Sequence, residues 1–131
     1  MDQQTTAALI RLCQARAENA RDDYERRAAA VTGGLPVYSD WTGVVVLTPQ
    51  GDVMYCDDER ATAEPPSEDG WRLLALVKAA RRYPELISLL PTRPANSALC
   101  SRCGGSGFMF GNFDCGYCMG IGWVQTDPVE L

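Results

Sequence analysis

Residues 100–122, CSRCGGSGFMFGNFDCGYCMGIG, carry one pattern twice. Cys100-x-x-Cys103-x-Gly105-x-Gly107 and Cys115-x-x-Cys118-x-Gly120-x-Gly122 both read C-x-x-C-x-G-x-G. Two C-x-x-C knuckles supply four thiolates, the ligand set of a closed tetrahedral zinc site, so the expectation is one Zn²⁺ per chain. After the second cysteine of each knuckle the backbone must fold back with N–H groups aimed at sulfur. Gly105, Gly107, Gly120 and Gly122 permit those turns, including positive φ. Residues 104–114 lie between the knuckles, enough for a short hairpin. Phe108-Met109-Phe110 and Phe113-Asp114 flank Gly111-Asn112, which fits a two-residue type II′ turn.

Other chemistries compete for these cysteines. A dithiol redox site uses one C-x-x-C at a helix N-terminus in a βαβ setting, whereas here glycines follow each knuckle. A rubredoxin-like iron site shares the paired-knuckle spacing and stays open as an alternative. Haem attachment needs C-x-x-C-H and is excluded, because the chain has no histidine. Four thiolates close the metal's shell and leave no position for a reactive water. Without histidine no Ser-His or Cys-His pair can form. Cys13 and Cys56 sit among apolar residues and read as core thiols. A non-enzymatic protein is expected.

The twin repeat resembles the cysteine-rich zinc-binding region of the DnaJ (Hsp40) family over Cys100–Gly122. That family pairs such repeats around each zinc, so two repeats imply a single ion held by Cys100, Cys103, Cys115 and Cys118. The resemblance also implies peptide handling. It does not extend to a J-domain, whose His-Pro-Asp motif this chain cannot contain. A second, much weaker resemblance joins residues 34–57, GLPVYSDWTGVVVLTPQGDVMYCD, to SMI1/KNR4-type immunity domains, which are α+β modules that bind partner proteins.

With 131 residues, 46% of them apolar, the chain can build a real core. No apolar run reaches the length of a membrane span, and MDQQTTAALIRL lacks the layout of a signal peptide. A cytoplasmic protein with no membrane partner is expected, its cysteines kept reduced for metal. Arg-rich, Lys-poor usage points to a GC-rich bacterial source. The formal charge is −5, and a zinc tetrathiolate adds acidity. From Ala95 to Leu131 the only base is Arg102, against Asp114, Asp127 and Glu130. That distribution disfavours nucleic acid, which needs clustered Lys and Arg, and makes a nucleic-acid-binding zinc ribbon the alternative.

Ahead of the knuckles the pattern is α+β. A helix capped by Thr5 or Thr6 is predicted to reach about Val31, with Leu9, Leu12, Cys13, Ala20, Tyr24 and Ala28 on one face. Asp22–Arg26 and Asp23–Arg27 would pair on the other. Such a helix would be about 40 Å long at 1.5 Å per residue, with Asn19 the place for a break. Its length also leaves room for a homodimer through this helix. Leu35–Tyr38 leads through Trp41 to the strand Gly43–Leu47, and the turn Thr48–Gly51 leads to a partner strand Val53–Cys56. Residues 57–69 hold six acids against Arg60 and read as a solvated loop. Ser67 would cap a second helix, ended by Tyr83-Pro84, with a short helix through Leu90.

The expected fold is thus a long N-terminal helix and a helical segment on a small antiparallel sheet, followed by a zinc-knuckle hairpin. The domains would be 1–91, a Pro-containing linker 92–98, the zinc module 99–126 and an acidic tail 127–131. A hairpin this small cannot enclose Phe108, Phe110, Phe113, Tyr117 and Trp123 together. Phe110 and Phe113, beside the turn, are the candidates for contact with another protein or peptide.

Overall fold

In the computed structural model, residues 2–40, 43–57, 62–64, 69–110 and 113–125 are described. Trp41, the acids of 58–61, the Ser67 cap, the Gly111-Asn112 turn and the acidic tail lie outside them. The chain divides into two units, Met1–Leu90 and Pro91–Leu131.

The first unit is an α+β fold. Its helical run comprises α1 (Gln3–Gln14), α2 (Arg16–Asn19) and α3 (Asp23–Thr32), in place of one long helix. Asp2, rather than Thr5 or Thr6, caps α1, its carboxylate accepting the Thr5 N–H at 2.7 Å. The run breaks at Ala20 because the sequence restarts there. Asp22 is extended and accepts the Glu25 N–H at 2.8 Å, while the Glu25 carboxylate accepts the Arg21 N–H at 2.8 Å. The arrangement is a variant of the capping box, with Glu25 reaching back to the N–H one residue before the cap, and Asp22-x-x-Glu25 is its signature in the sequence. Asp22, spent as a cap, does not serve as the helix-face partner of Arg26; that role falls to Asp23. Arg27 instead lies over the Tyr24 ring.

Four antiparallel strands follow in the order β1 (Leu35–Ser39), β2 (Gly43–Leu47), β3 (Val53–Asp57) and β4 (Thr62–Glu64). Then come α4 (Asp69–Arg82) and a 3₁₀ helix, Pro84–Leu89. Helices cover both faces of the sheet, not one. Leu35, Val37, Val45, Leu47 and Val53 pack against Ala8, Leu9 and Cys13 of α1, Ala75, Leu76 and Ala79 of α4, and Tyr83 and Leu86. Val44, Val46 and Cys56 meet Ala28 of α3 on the other face. Alternate residues of β2 therefore serve opposite cores, which is why GVVVL is apolar throughout and buried throughout. Both isolated cysteines are core thiols, and Cys13 Sγ lies 3.7 Å from the Leu47 carbonyl.

One buried ion pair ties these layers together. Arg82, at the end of α4, donates to both carboxylate oxygens of Glu25, at 2.8 and 3.1 Å. The same guanidinium donates to the carbonyls of Asn19 (2.5 Å) and Val37 (3.0 Å). Val37 needs this partner. The register runs from Pro36 opposite Val46 to Tyr38 opposite Val45, so Val37 is a bulge residue outside the ladder. The neighbouring Pro36 carbonyl accepts the Tyr83 hydroxyl at 2.7 Å, and Pro36 has no N–H to offer. Two carbonyls of β1, an edge strand, are thus taken up by side chains of the same chain.

Burial alone would raise the Glu25 carboxyl, but the hydrogen bonds from Arg82 and the Arg21 N–H outweigh it and hold the group below its usual 4.5. A depressed carboxyl contributes stability that is present above the unfolded value and lost as pH falls through the folded one. The stability of the first unit should therefore decline on acidification below about pH 4.5. Arg82→Met should remove about 3–5 kcal/mol, since it strands a buried carboxylate. It should also abolish much of that acid dependence. Urea melts at pH 7 and pH 4, on wild type and variant, measure both effects.

Candidate metal centre

The second unit has almost no core except sulfur. Cys100, Cys115 and Cys118 are buried, Cys103 is half-buried, and Met109, Ile121 and Val124 pack around them. Two short ladders frame the cluster: β5 (Ser97–Leu99) with β8 (Trp123–Gln125), and β6 (Phe108–Met109) with β7 (Phe113–Asp114). Ser97 and Ala98, assigned by composition to the linker, belong to the first of these.

The repeat in the sequence becomes a pseudo-twofold in space. Equivalent positions are 15 residues apart, as in Cys100 and Cys115. The Cys100 N–H donates to the Gly122 carbonyl at 3.0 Å, and the Cys115 N–H to the Gly107 carbonyl at 2.9 Å. Each repeat thus begins where the other ends. The strand entering one knuckle pairs with the strand leaving the other, which produces the two matched ladders. Arg102 and Tyr117, also equivalent, stack across the centre with the guanidinium 5.7 Å from the ring centroid.

All four Sγ atoms lie within 4.8 Å of one another. Cys100 and Cys115 are 3.7 Å apart, and Cys103 and Cys118 are 3.6 Å apart. A tetrahedron with metal–sulfur bonds of about 2.3 Å has edges of about 3.8 Å; two of the six S–S distances match that value and all lie within 4.8 Å, so the four cysteines could hold a single ion. No other set of three or more Cys, Asp or Glu groups comes together in this way among the described residues.

The glycines act where the motif placed them. The Gly107 N–H donates to Cys103 Sγ and the Gly122 N–H to Cys118 Sγ, both at 3.3 Å. Burial opposes charge on Cys103, but the Gly107 and Gly105 N–H groups prevail and bring its thiol down to about 6. The Cys118 N–H, foremost, holds Cys115 low as well. Burial wins at Cys118, pushed up to about 12 despite the Gly122 N–H. Backbone dipoles therefore charge some of the sulfurs and not all. A divalent cation held among them would favour the thiolate form of its ligands and would crosslink the two knuckles.

One feature of the turns was missed in the sequence. The residue directly after each knuckle also takes positive φ, Gly104 at 67° and Met119 at 56°. The motif places no glycine there, and only the first repeat has one. The hairpin differs from expectation too. A two-residue turn would set Phe110 opposite Phe113, but Phe113 pairs with Met109. Phe110 therefore falls outside the ladder, at φ 52°. Alternation sends Met109 toward the sulfurs and Phe108 to the opposite face; Phe110, beyond the ladder, is 86% exposed, and Phe113, although it is the cross-strand partner of Met109, is 70% exposed.

Comparison of the chain with protein-family models, with curated proteins and with solved structures returns no match. No described helix is long and apolar enough to cross a membrane.

Gly122 and Met119 give opposite predictions. A Cβ on Gly122 would lie 2.5 Å from the Gly105 carbonyl oxygen, on a backbone at φ +92°, so Gly122→Ala should lose metal to a competing chelator far more readily than wild type. Met119→Gly should relieve left-handed strain, partly offset by a freer unfolded chain, for a gain of roughly 0.5–1 kcal/mol. Metal retention across a chelator titration reads both. In the same titration, amide exchange should rise over residues 97–125, while the core of Met1–Leu90, which contains none of the four cysteines, stays protected.

Proposed function

We propose that this is a non-enzymatic protein-interaction protein whose second unit holds one structural Zn²⁺ through Cys100, Cys103, Cys115 and Cys118. The ion fixes the hairpin, and Phe110 and Phe113 present an apolar patch to a partner protein or peptide. We place it in the chaperone-like, adaptor or immunity-type class, acting in the cytoplasm, and read its two repeats as a single-zinc version of the DnaJ-type cysteine-rich region.

The observation that carries this proposal is a difference between equivalent positions. Phe110 and Phe113 correspond, 15 residues away, to Gln125 and Ala98. All four are exposed, and the scaffold is satisfied by a polar residue and a methyl group at one end. The two rings at the other end are therefore surplus to folding. Exposed rings on a metal-fixed hairpin lose little ordering entropy on contact, which favours them as anchors for a partner. Zinc suits the all-thiolate tetrahedral set, and a closed shell fits a structural ion better than a catalytic one. Nucleic acid is disfavoured by the charges: Arg102 is the only base from Ala95 to Leu131.

Elemental analysis of purified protein should find one zinc per chain, and the double change Cys115→Ser and Cys118→Ser should abolish it. Phe110→Ala with Phe113→Ala should leave zinc content and melting temperature near wild type. The pair should remove the specific partner from an affinity capture that uses wild type as its reference. A large loss of stability in that variant would make the rings part of the core and refute the patch.

A further inference from the structure

The two halves of the metal centre match in their hydrogen bonds but differ in access. Cys103 and Cys118 are equivalent ligands. Each is the second cysteine of its knuckle, and each Sγ accepts one glycine N–H at 3.3 Å, from Gly107 and Gly122. Their surroundings differ: Cys118 is 3% exposed, Cys100 and Cys115 are fully buried, and Cys103 alone reaches the half-buried class. With the donors matched, access decides which sulfur meets a reagent from solution. The partner for a second step is already in place, since Cys118 Sγ lies 3.6 Å from Cys103 Sγ, across the knuckles.

We propose that Cys103 is the modification site of the cluster, where a peroxide-class oxidant attacks, and that oxidation closes a Cys103–Cys118 disulfide and releases the metal. This rests on the metal reading above. The chemistry balances with one peroxide. The Cys103 thiolate displaces hydroxide from the peroxide O–O bond and becomes a sulfenic acid. The Cys118 thiolate then attacks that sulfur, forming the S–S bond and expelling a second hydroxide. Two thiolates give up two electrons in all, and one peroxide becomes two hydroxides, which take up protons as water. The ion is left with Cys100 and Cys115, too few donors to hold it. Losing it withdraws the constraint on the hairpin that carries Phe110 and Phe113, so the same event would switch off the patch. A thiol reductant and fresh zinc reverse the sequence, because neither cysteine has passed beyond the disulfide.

The test uses the full chain with its metal content measured first. Hydrogen peroxide is added in substoichiometric steps, released zinc is followed with a chromophoric chelator, and the disulfides are mapped by mass spectrometry after thiol blocking. The expected result is about one zinc released per peroxide consumed, with Cys103–Cys118 the first crosslink. Accumulation of Cys100–Cys103 or Cys115–Cys118 first would overturn the assignment, as would zinc retained by the oxidised chain. Native alkylation with iodoacetamide checks access independently of disulfide chemistry. Cys103 should be labelled first among the four, and earlier labelling of any other would refute its role. A chain without metal before peroxide is added overturns the metal reading itself, and the release with it. A metal-loaded chain that crosslinks elsewhere overturns only the role given to Cys103.

Discussion

Four sulfur atoms must meet at one point, and the whole second unit follows from that. Among the described residues, its apolar interior beyond the cysteines amounts to Met109, Ile121 and Val124. A segment of this size cannot bury enough surface to offset its chain entropy. Structural zinc supplies on the order of 10 kcal/mol of apparent binding energy to such units, which exceeds anything three partly buried side chains provide. The backbone is arranged around the same need. The crossed bonds from Cys100 to Gly122 and from Cys115 to Gly107 bring the two knuckles face to face. The close approach of Gly122 to Gly105 leaves no room for a side chain. Strain at Met119 would be tolerated if a metal held by the adjacent Cys118 fixed the geometry around it.

The first unit depends on a different device. Arg82 collects its partners from three places: the end of α2, the first turn of α3 and the bulge in β1. The Val37 carbonyl and one Glu25 carboxylate oxygen have Arg82 as their hydrogen-bond partner, and a buried polar group left unpaired costs roughly 1–3 kcal/mol. A guanidinium is the side chain that can meet all of them, having five donors in a rigid plane. The arrangement also solves a problem of sheet architecture. An edge strand with free carbonyls invites pairing with another chain. Here the carbonyls of Pro36 and Val37 are occupied by Tyr83 and Arg82.

The parts of this molecule that could be read in the sequence are those set by local pattern. C-x-x-C-x-G-x-G states its ligands and its turns within eight positions, and the strands Gly43–Leu47 and Val53–Asp57 announce themselves through β-branched residues and the Thr48–Gly51 turn. What escaped was set by distance or by competition. Glu25 and Arg82 are 57 positions apart, and nothing at either one names the other. The place of a break, at Asn19, was legible and is where α2 ends; what the apolar spacing hid is that Asp22-x-x-Glu25, a capping signature, restarts the helix. Periodicity favoured one helix; at the break Asp22 accepts the Glu25 N–H and Arg82 donates to the Asn19 carbonyl, so the groups that the break frees are satisfied. The fully apolar β2 fits a strand buried on both sides, yet the second cover is the small Ala28 of α3, too slight to signal a layer.

The pseudo-twofold separates what folding requires from what it does not. Positions 15 apart share a backbone environment, so residues that agree across the repeat are explained by the scaffold: cysteines, the glycines that follow them, and Met109 with Val124 against the sulfurs. Phe108 and Trp123 are both aromatic and belong with these. Residues that disagree need another account. Gly104 against Met119 is a cost accepted in one repeat. Cys103 against Cys118 is a difference in burial alone, because the ligand and its N–H donor are the same. Phe110 against Gln125 and Phe113 against Ala98 place two large rings in water at one end, where the other end exposes a polar residue and a methyl group at the same positions and Leu99 against Asp114. Burying either ring would gain on the order of 1.5–3 kcal/mol, and this unit leaves that gain unused. Leu99 in β5 and Tyr117 in the second knuckle are exposed as well, but the two rings beside the hairpin turn are the most exposed apolar side chains among the described residues of this unit.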